Sequence, residues 1–182
     1  AFMSILAHSL LNRVAAEEPH LGPAAMLGRL RERLLEALHH QPDYEHQPYD
    51  GMDLALCRYE PATRRLRFAG ARRPLFLFRQ GAALEAFPGA RASINAQPGQ
   101  PFTEVELHLG EGDTFYVFSD GVTDQFGGVP GRKLNFRRFR DFLAQVQPLT
   151  LAEQHARLRL FIAEWQGATR QTDDMLVMGV RA

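Results

Sequence analysis

The chain reads as a mixed helix-and-strand protein whose strands pair as antiparallel hairpins. Three observations predict this. Apolar residues recur at helical spacing near both ends, at Phe2, Ile5, Leu6, Leu10 and Val14 and again at Leu158, Ile162 and Trp165. From Gly51 onward the period shifts towards two, punctuated by Glu60-Pro61-Ala62-Thr63 and Gln80-Gly81. Finally, two apolar runs, Thr114–Phe118 and Met175–Val180, each carry acidic residues at one end.

Taken in order, Ala1–Ala16 forms a first helix, which Glu17–Gly22 breaks. Pro23 suits the first turn of a second helix running to His40, with Leu27, Leu30, Leu34 and Leu38 as its buried stripe. His8 and Asn12 lie one turn apart and read as a surface pair, while His39 and His40 read as a solvated helix end. Gln41–Tyr49 is a connecting loop. Met52–Tyr59 pairs with Arg65–Ala69, and Leu75–Arg79 with Ala83–Phe87. Pro88–Pro101 is irregular. Thr103–Leu109 alternates, with Val105, Leu107 and Leu109 on the buried face and His108 turned to solvent. After Gly128, Phe136, Phe139, Phe142 and Leu143 set a helix among Arg132, Lys133, Arg137, Arg138 and Arg140; those basic residues serve as a solvated face or greet a phosphorylated partner. Thr150 caps a last helix, with Leu151 among its inward residues, and Gly167 ends it.

With 182 residues, the chain fits one domain, residues 1–182, large enough to bury a core. It has 21 basic and 21 acidic residues, and zero net charge argues against a nucleic-acid binder or a polybasic membrane binder. The single cysteine, Cys57, excludes an internal disulfide and fits a reducing, cytoplasmic setting. No apolar stretch approaches the roughly 20 residues of a membrane span, and the start lacks the basic region of a signal peptide. The sequence starts inside an established helix, so the beginning of the domain is expected upstream.

The stretch Thr114–Gly128, TFYVFSDGVTDQFGG, organises the rest. A strand buried on both faces stops at Ser119-Asp120-Gly121, and a carboxylate there beside a glycine suits a hard metal ion. Thr172-Asp173-Asp174 mirrors it ahead of the run from Met175. If the two strands pair antiparallel, Asp120 and Asp173 meet at one sheet end. Acidic residues at strand ends are usually solvated turn residues.

SDGVTDQFGG followed by QTDDMLVMGV resembles the metal-dependent protein phosphatase superfamily, in its bacterial SpoIIE-like branch. Phe2-Met3-Ser4, Asp50-Gly51-Met52-Asp53-Leu54-Ala55-Leu56 and Phe68-Ala69-Gly70-Ala71 with Pro74-Leu75 extend the likeness along the chain in order. The resemblance implies an α+β sandwich of mainly antiparallel sheets flanked by helices (α-β-β-α), here lacking its first strands. It implies hydrolysis of phosphoserine or phosphothreonine on a bacterial signalling protein, with Mn²⁺ or Mg²⁺ as cofactor. The substrate would be a phosphorylated regulator, such as an anti-sigma-factor antagonist.

Carried over position by position, Asp120 and Gly121 match the SDG motif, and Asp173 the first acid of the final pair; these are the expected metal ligands, with Asp120 and Asp173 catalytic. Asp174 and Asp124 are expected beside the site, with Gln125 bracing its edge and Gly127-Gly128 forming a turn. Arg72 and Arg73, after Ala69-Gly70-Ala71, are candidates for meeting substrate, and also plain surface residues. Asp50 and Asp53 enter a central strand in the family and are not ligands. Two divalent ions about 3.5–4 Å apart acidify a water and neutralise phosphate charge in such sites, which explains an Asp-rich set without cysteine or histidine.

One departure weighs on this reading. The family's first motif, an aspartate-glycine pair bridging both metals, precedes the helix that Ala1–Ser4 represents; Asp50-Gly51 has the letters in another place. Half of a two-metal site is therefore expected, with weak activity from these residues alone. Exposed sheet edge would favour aggregation or a homodimer. The alternative is a catalytically silent phosphatase-like module that binds a protein partner.

Overall fold

Leu27, Leu30, Leu34 and Leu38 are all buried to within 1% on one face of a helix, and each contributes about 1.5–3 kcal/mol by leaving water. The computed structural model describes residues 2–39, 52–95, 100–128 and 131–182. His40, the loop predicted over Gln41–Tyr49, the neighbouring Asp50 and Gly51, and Ala96 and Gln97 lie outside these residues. The elements in chain order are α1 (Phe2–Glu17), α2 (Pro23–His39), β1 (Leu54–Glu60), β2 (Arg65–Ala71), β3 (Leu75–Phe78), β4 (Leu84–Phe87), β5 (Val105–His108), β6 (Thr114–Phe118), α3 (Asp120–Asp124), β7 (Phe126–Gly127), β8 (Arg132–Lys133), α4 (Asn135–Val146), α5 (Leu151–Gln166) and β9 (Val177–Arg181). Among the described residues no helix is long and apolar enough to cross a membrane.

The chain divides into two compact units, the first made of residues 1–74 and 88–108, the second of 75–87 and 109–182. In the first, β2 pairs antiparallel with both β1 and β5. The α2 stripe packs with Ala69, Ala71, Ile94 and Phe102, and α1 adds Met3, Leu6, Leu10 and Leu11. The first turn of α2 has a distant acceptor: Ala24 N donates to Glu104 Oε2 at 3.2 Å, placing negative charge where the helix dipole favours it. His8 and Asn12 bond one another at 3.0 Å on the exposed face of α1. Cys57 is partly buried in β1, and burial pushes its thiol up to about 12.

The second unit carries a sheet ordered β4-β3-β6-β9, antiparallel throughout. Phe76, Phe78, Tyr116 and Phe118 present one face to Phe139, Phe142, Leu143 and Val146 of α4, with Leu158, Phe161, Ile162 and Trp165 of α5 packed alongside. The Phe118 ring meets Phe139 edge-on at 4.9 Å, and Phe142 stacks on Phe161 at 4.2 Å. Thr150 and Glu153 form a reciprocal capping box at the start of α5, and Gly167 ends the helix at φ +52°.

Two expectations differ in detail. Leu151 is 37% exposed instead of fully inward: it occupies the first position of α5, where its side chain lies along Gly179 of β9 and its other side stays open. Phe136 is 46% exposed, although its ring still touches the rings of Phe76 and Phe118. Arg137 and Arg140 lie on the open side of α4, with Arg137 84% exposed by side chain, whereas Arg138 is half-buried with its guanidinium 5.2 Å from the Trp165 ring.

Candidate metal centre

Strand β6 ends where its apolar run ends, at Phe118, and α3 starts two residues later with Asp120 in its first turn. Between them Ser119 stays extended, at φ −80° and ψ 159°. Across from it β9 runs antiparallel, with Phe118 opposite Val177. Beyond that last pair the ladder is continued by Ser119. Its N–H donates to Leu176 O at 3.0 Å, its Oγ donates to Asp174 O at 2.9 Å, and the same Oγ accepts from Leu176 N at 2.9 Å. Asp120 and Asp173 are thereby held at the same end of the sheet, on chain segments stitched side by side.

Gly121 tightens the approach. It is buried, and a Cβ there would collide with the Asp174 carbonyl oxygen and lie 3.3 Å from the Asp173 carbonyl carbon. Asp120 is half-buried, whereas Asp173 and Asp174 are exposed. Asp173 Oδ1 accepts from Asp174 N at 2.7 Å, and Asp173 O accepts from Gln171 Nε2 at 2.7 Å. Neither acid lies in β9, which starts at Val177, so strand alternation does not set the direction of Asp174. Among the described residues there is no group of three or more His, Cys, Asp or Glu placed to hold a metal ion.

The remaining candidates are placed as follows. Asp124 closes α3 and pairs with Lys133 Nζ at 2.9 Å, both about half-exposed, tying α3 to β8 on the surface. Such a pair adds at most about 1 kcal/mol. Arg72 and Arg73 belong to the first unit. Arg73 is 14% exposed by side chain and bonds Asp53 Oδ2 at 2.9 Å, while Ser93 Oγ donates to Asp53 Oδ1. Its guanidinium is therefore spent on an internal pair. Arg72 is 59% exposed, 3.8 Å from the same carboxylate, with a left-handed backbone at φ +56°. Gln125, read as an edge brace, is fully buried. Ser119 was passed over by sequence reasoning. The available signal was a hydroxyl residue at the point where an apolar strand must hand its last hydrogen bonds to something else.

A family model for stage II sporulation protein E (SpoIIE) matches residues 1–182. A search of the curated proteins returns no match. Among solved structures, the SiaA-PP2C domain of Pseudomonas aeruginosa is 30% identical, with a TM-score of 0.87 over 100% of this chain and 70% of that one. RsbX in complex with magnesium is 12% identical, with a TM-score of 0.65 over 100% of this chain and 76% of that one. The Mn-presoaked phosphatase domain of SpoIIE from Bacillus subtilis is 16% identical, with a TM-score of 0.55 over 96% and 72% respectively. The mixed helical and antiparallel-sheet fold is thus that of the PP2C phosphatase domains. Within that class, the chain belongs to the SpoIIE family.

Proposed function

We propose that residues 1–182 act as one phosphatase domain that hydrolyses phosphoserine or phosphothreonine on a phosphorylated protein partner, using Mn²⁺ or Mg²⁺. The carrying observation is the stitching of Asp120 to the Asp173–Asp174 segment through Ser119 and Gly121, in a chain of a phosphatase family. The Asp120 and Asp173 carboxylates and the Gly121 backbone carbonyl would hold the ion. All three are hard oxygen donors, the kind these ions prefer, so the set fits. A divalent ion bound there supplies an acidified water and neutralises charge on the phosphate.

The chain's own part is placement. Asp120 and Asp173 would bring two negative charges to one end of the sheet, and Gly121 lets the segments that carry them pack closely. Asp174 follows Asp173 in the chain and is tied to the site's edge through its backbone, and Asp124 stays with Lys133. Of the two arginines, Arg72 is the one open to a phosphoprotein, since Arg73 is occupied by Asp53. The partner fits a small phosphorylated signalling regulator, such as an anti-sigma-factor antagonist; the similar structures include PppA, a regulatory component of T6SS in Pseudomonas aeruginosa, and a protein of the bacterial stressosome. The single thiol supports a reducing, cytoplasmic setting.

A second reading, a silent phosphatase-like module that binds a partner, is favoured by one observation: Asp120 and Asp173 have no third ligand converging on them among the described residues. Hydrolysis of a phosphoserine peptide by this chain separates the two. Turnover that needs Mn²⁺, stops with excess chelator and is lost in Asp120→Asn is the expected result. A robust rate that survives the chelator overturns the metal-dependent reading. Binding of the phosphopeptide without turnover at any Mn²⁺ concentration establishes the second.

A further inference from the structure

We propose that Gln125 is the positioning residue for Asp173: its buried carboxamide clamps the segment that delivers this aspartate to the site. Insofar as Asp173 is a metal ligand, this rests on the reading above.

The chain returns from the end of α5 to β9 through residues 167–176, and those from 167 to 174 are exposed and belong to no helix or strand. Such a loop has no ladder to fix it. Gln125 supplies the hold. Its Nε2 donates to Arg170 O at 3.2 Å and to Phe126 O at 2.9 Å, and its Oε1 accepts from Thr172 N at 3.4 Å. The side chain thus grips residues on both sides of Gln171 and stops one residue short of Asp173. On the far side of Asp173, Ser119 grips Asp174 and Leu176. Asp173 is the single residue between two anchors, and both anchors flank the helix that Asp120 opens: Ser119 precedes α3 and Gln125 follows it.

A clamp must itself be rigid, and Gln125 is. It is 0% exposed. Its carbonyl accepts from Leu134 N at 2.9 Å and from the Trp165 indole Nε1 at 3.0 Å. The next two glycines lock against the same tryptophan. Gly128 N donates to Trp165 O at 2.7 Å, and a Cβ at Gly127 would collide with that oxygen. Burying an unpaired carboxamide is costly, so a glutamine at this depth is tolerable because its polar atoms are used. They are used on the segment leading to Asp173. Groups that orient a ligand without touching the ion typically change metal affinity by about 10–100-fold when removed.

The test compares Gln125→Met, which keeps the volume and loses the clamp, with Tyr116→Phe, which breaks the buried Tyr116–Gln154 bond in the same unit and touches nothing near Asp173. Two readouts are taken on the full chain: amide hydrogen exchange across Arg170–Asp174, and Mn²⁺ affinity by electron paramagnetic resonance. In Gln125→Met, exchange across the segment is expected to accelerate at least about tenfold and Mn²⁺ affinity to fall about tenfold, with Tyr116→Phe changing neither. Equal exchange in Gln125→Met and the unmodified chain overturns the clamp, as does equal loosening by Tyr116→Phe. If the unmodified chain holds no Mn²⁺, the metal reading falls, and the exchange comparison still decides the clamp. Should Gln125→Met fail to fold, the unmodified chain suffices: protection of Thr172 N–H supports the clamp, and exchange at the free-chain rate overturns it.

Discussion

The backbone of Gly121 lies directly against the carbonyl of Asp174, fifty-three positions later, with no room between them for a methyl group. This packing sets two acidic motifs that are distant in sequence side by side. Its consequence is direct: Gly121→Ala must push the Asp173–Asp174 segment away or distort α3. The substitution is expected to cost on the order of 1–3 kcal/mol, as overpacking does, read as a lower midpoint in urea unfolding. Gly28, where an added Cβ meets nothing within 4 Å, is the control, and Gly28→Ala should be neutral or stabilising in the middle of α2.

Ser119→Ala removes a hydroxyl that both donates to Asp174 O and accepts from Leu176 N. A loss of about 1 kcal/mol is expected. The more telling measurement is local. The Leu176 amide should exchange faster, while the Val180 amide, deeper in the β6–β9 ladder, keeps its protection. Uniform acceleration along β9 would show that Ser119 merely supports the strand.

Thr150→Ala tests the capping box of α5 and should destabilise the chain by about 1 kcal/mol at neutral pH. The Thr150 hydroxyl and backbone N–H, in that order, hold the Glu153 carboxyl below its usual range. A lowered carboxyl pKa gives stability that is present above the unfolded value and is lost as pH falls through the folded one. Acid titration of stability should therefore show a component in the unmodified chain that Thr150→Ala lacks. Mn²⁺ affinity should not move.

Cys57 is the chain's chemical reporter. Burial raises its thiol from 9.0 to about 12, so the native thiol should react slowly with a disulfide reagent at mildly alkaline pH and at the free-thiol rate once unfolded. The sign of the linked effect is fixed. Between pH 9.0 and about 12 the unfolded chain has given up the proton that the folded chain keeps, so stability falls as pH rises through that window. Cys57→Ala should remove that dependence.

Much of this was legible along the chain. The leucines of α2 repeat at helical spacing, and their stripe is buried. The turns of the two hairpins are marked by Pro61 and by Gly81, which sits at φ +73°. The apolar run Thr114–Phe118 and the acids at its end located both the central strand and the candidate site, because strand burial and turn chemistry are written in adjacent residues.

Other features depend on residues far apart in sequence. Phe136 has the spacing of a buried residue and lies open on one side, because exposure depends on what covers a helix and not on the helix itself. Arg73 looked like Arg72 until Asp53, twenty positions earlier, took its guanidinium. Gln125 carried only a family likeness in the sequence, since its partners Arg170 and Thr172 lie 45 and 47 residues away. The sequence alone determined the four long helices, the strands of the two larger sheets and which carboxylates stand near strand ends, since these follow from periodicity and local turn chemistry. The short α3, β7 and β8 are too brief to carry a period of their own. Only the tertiary structure decided which of those groups are neighbours, because hydrogen bonds such as those of Ser119 and Gln125 join segments that sequence spacing does not relate.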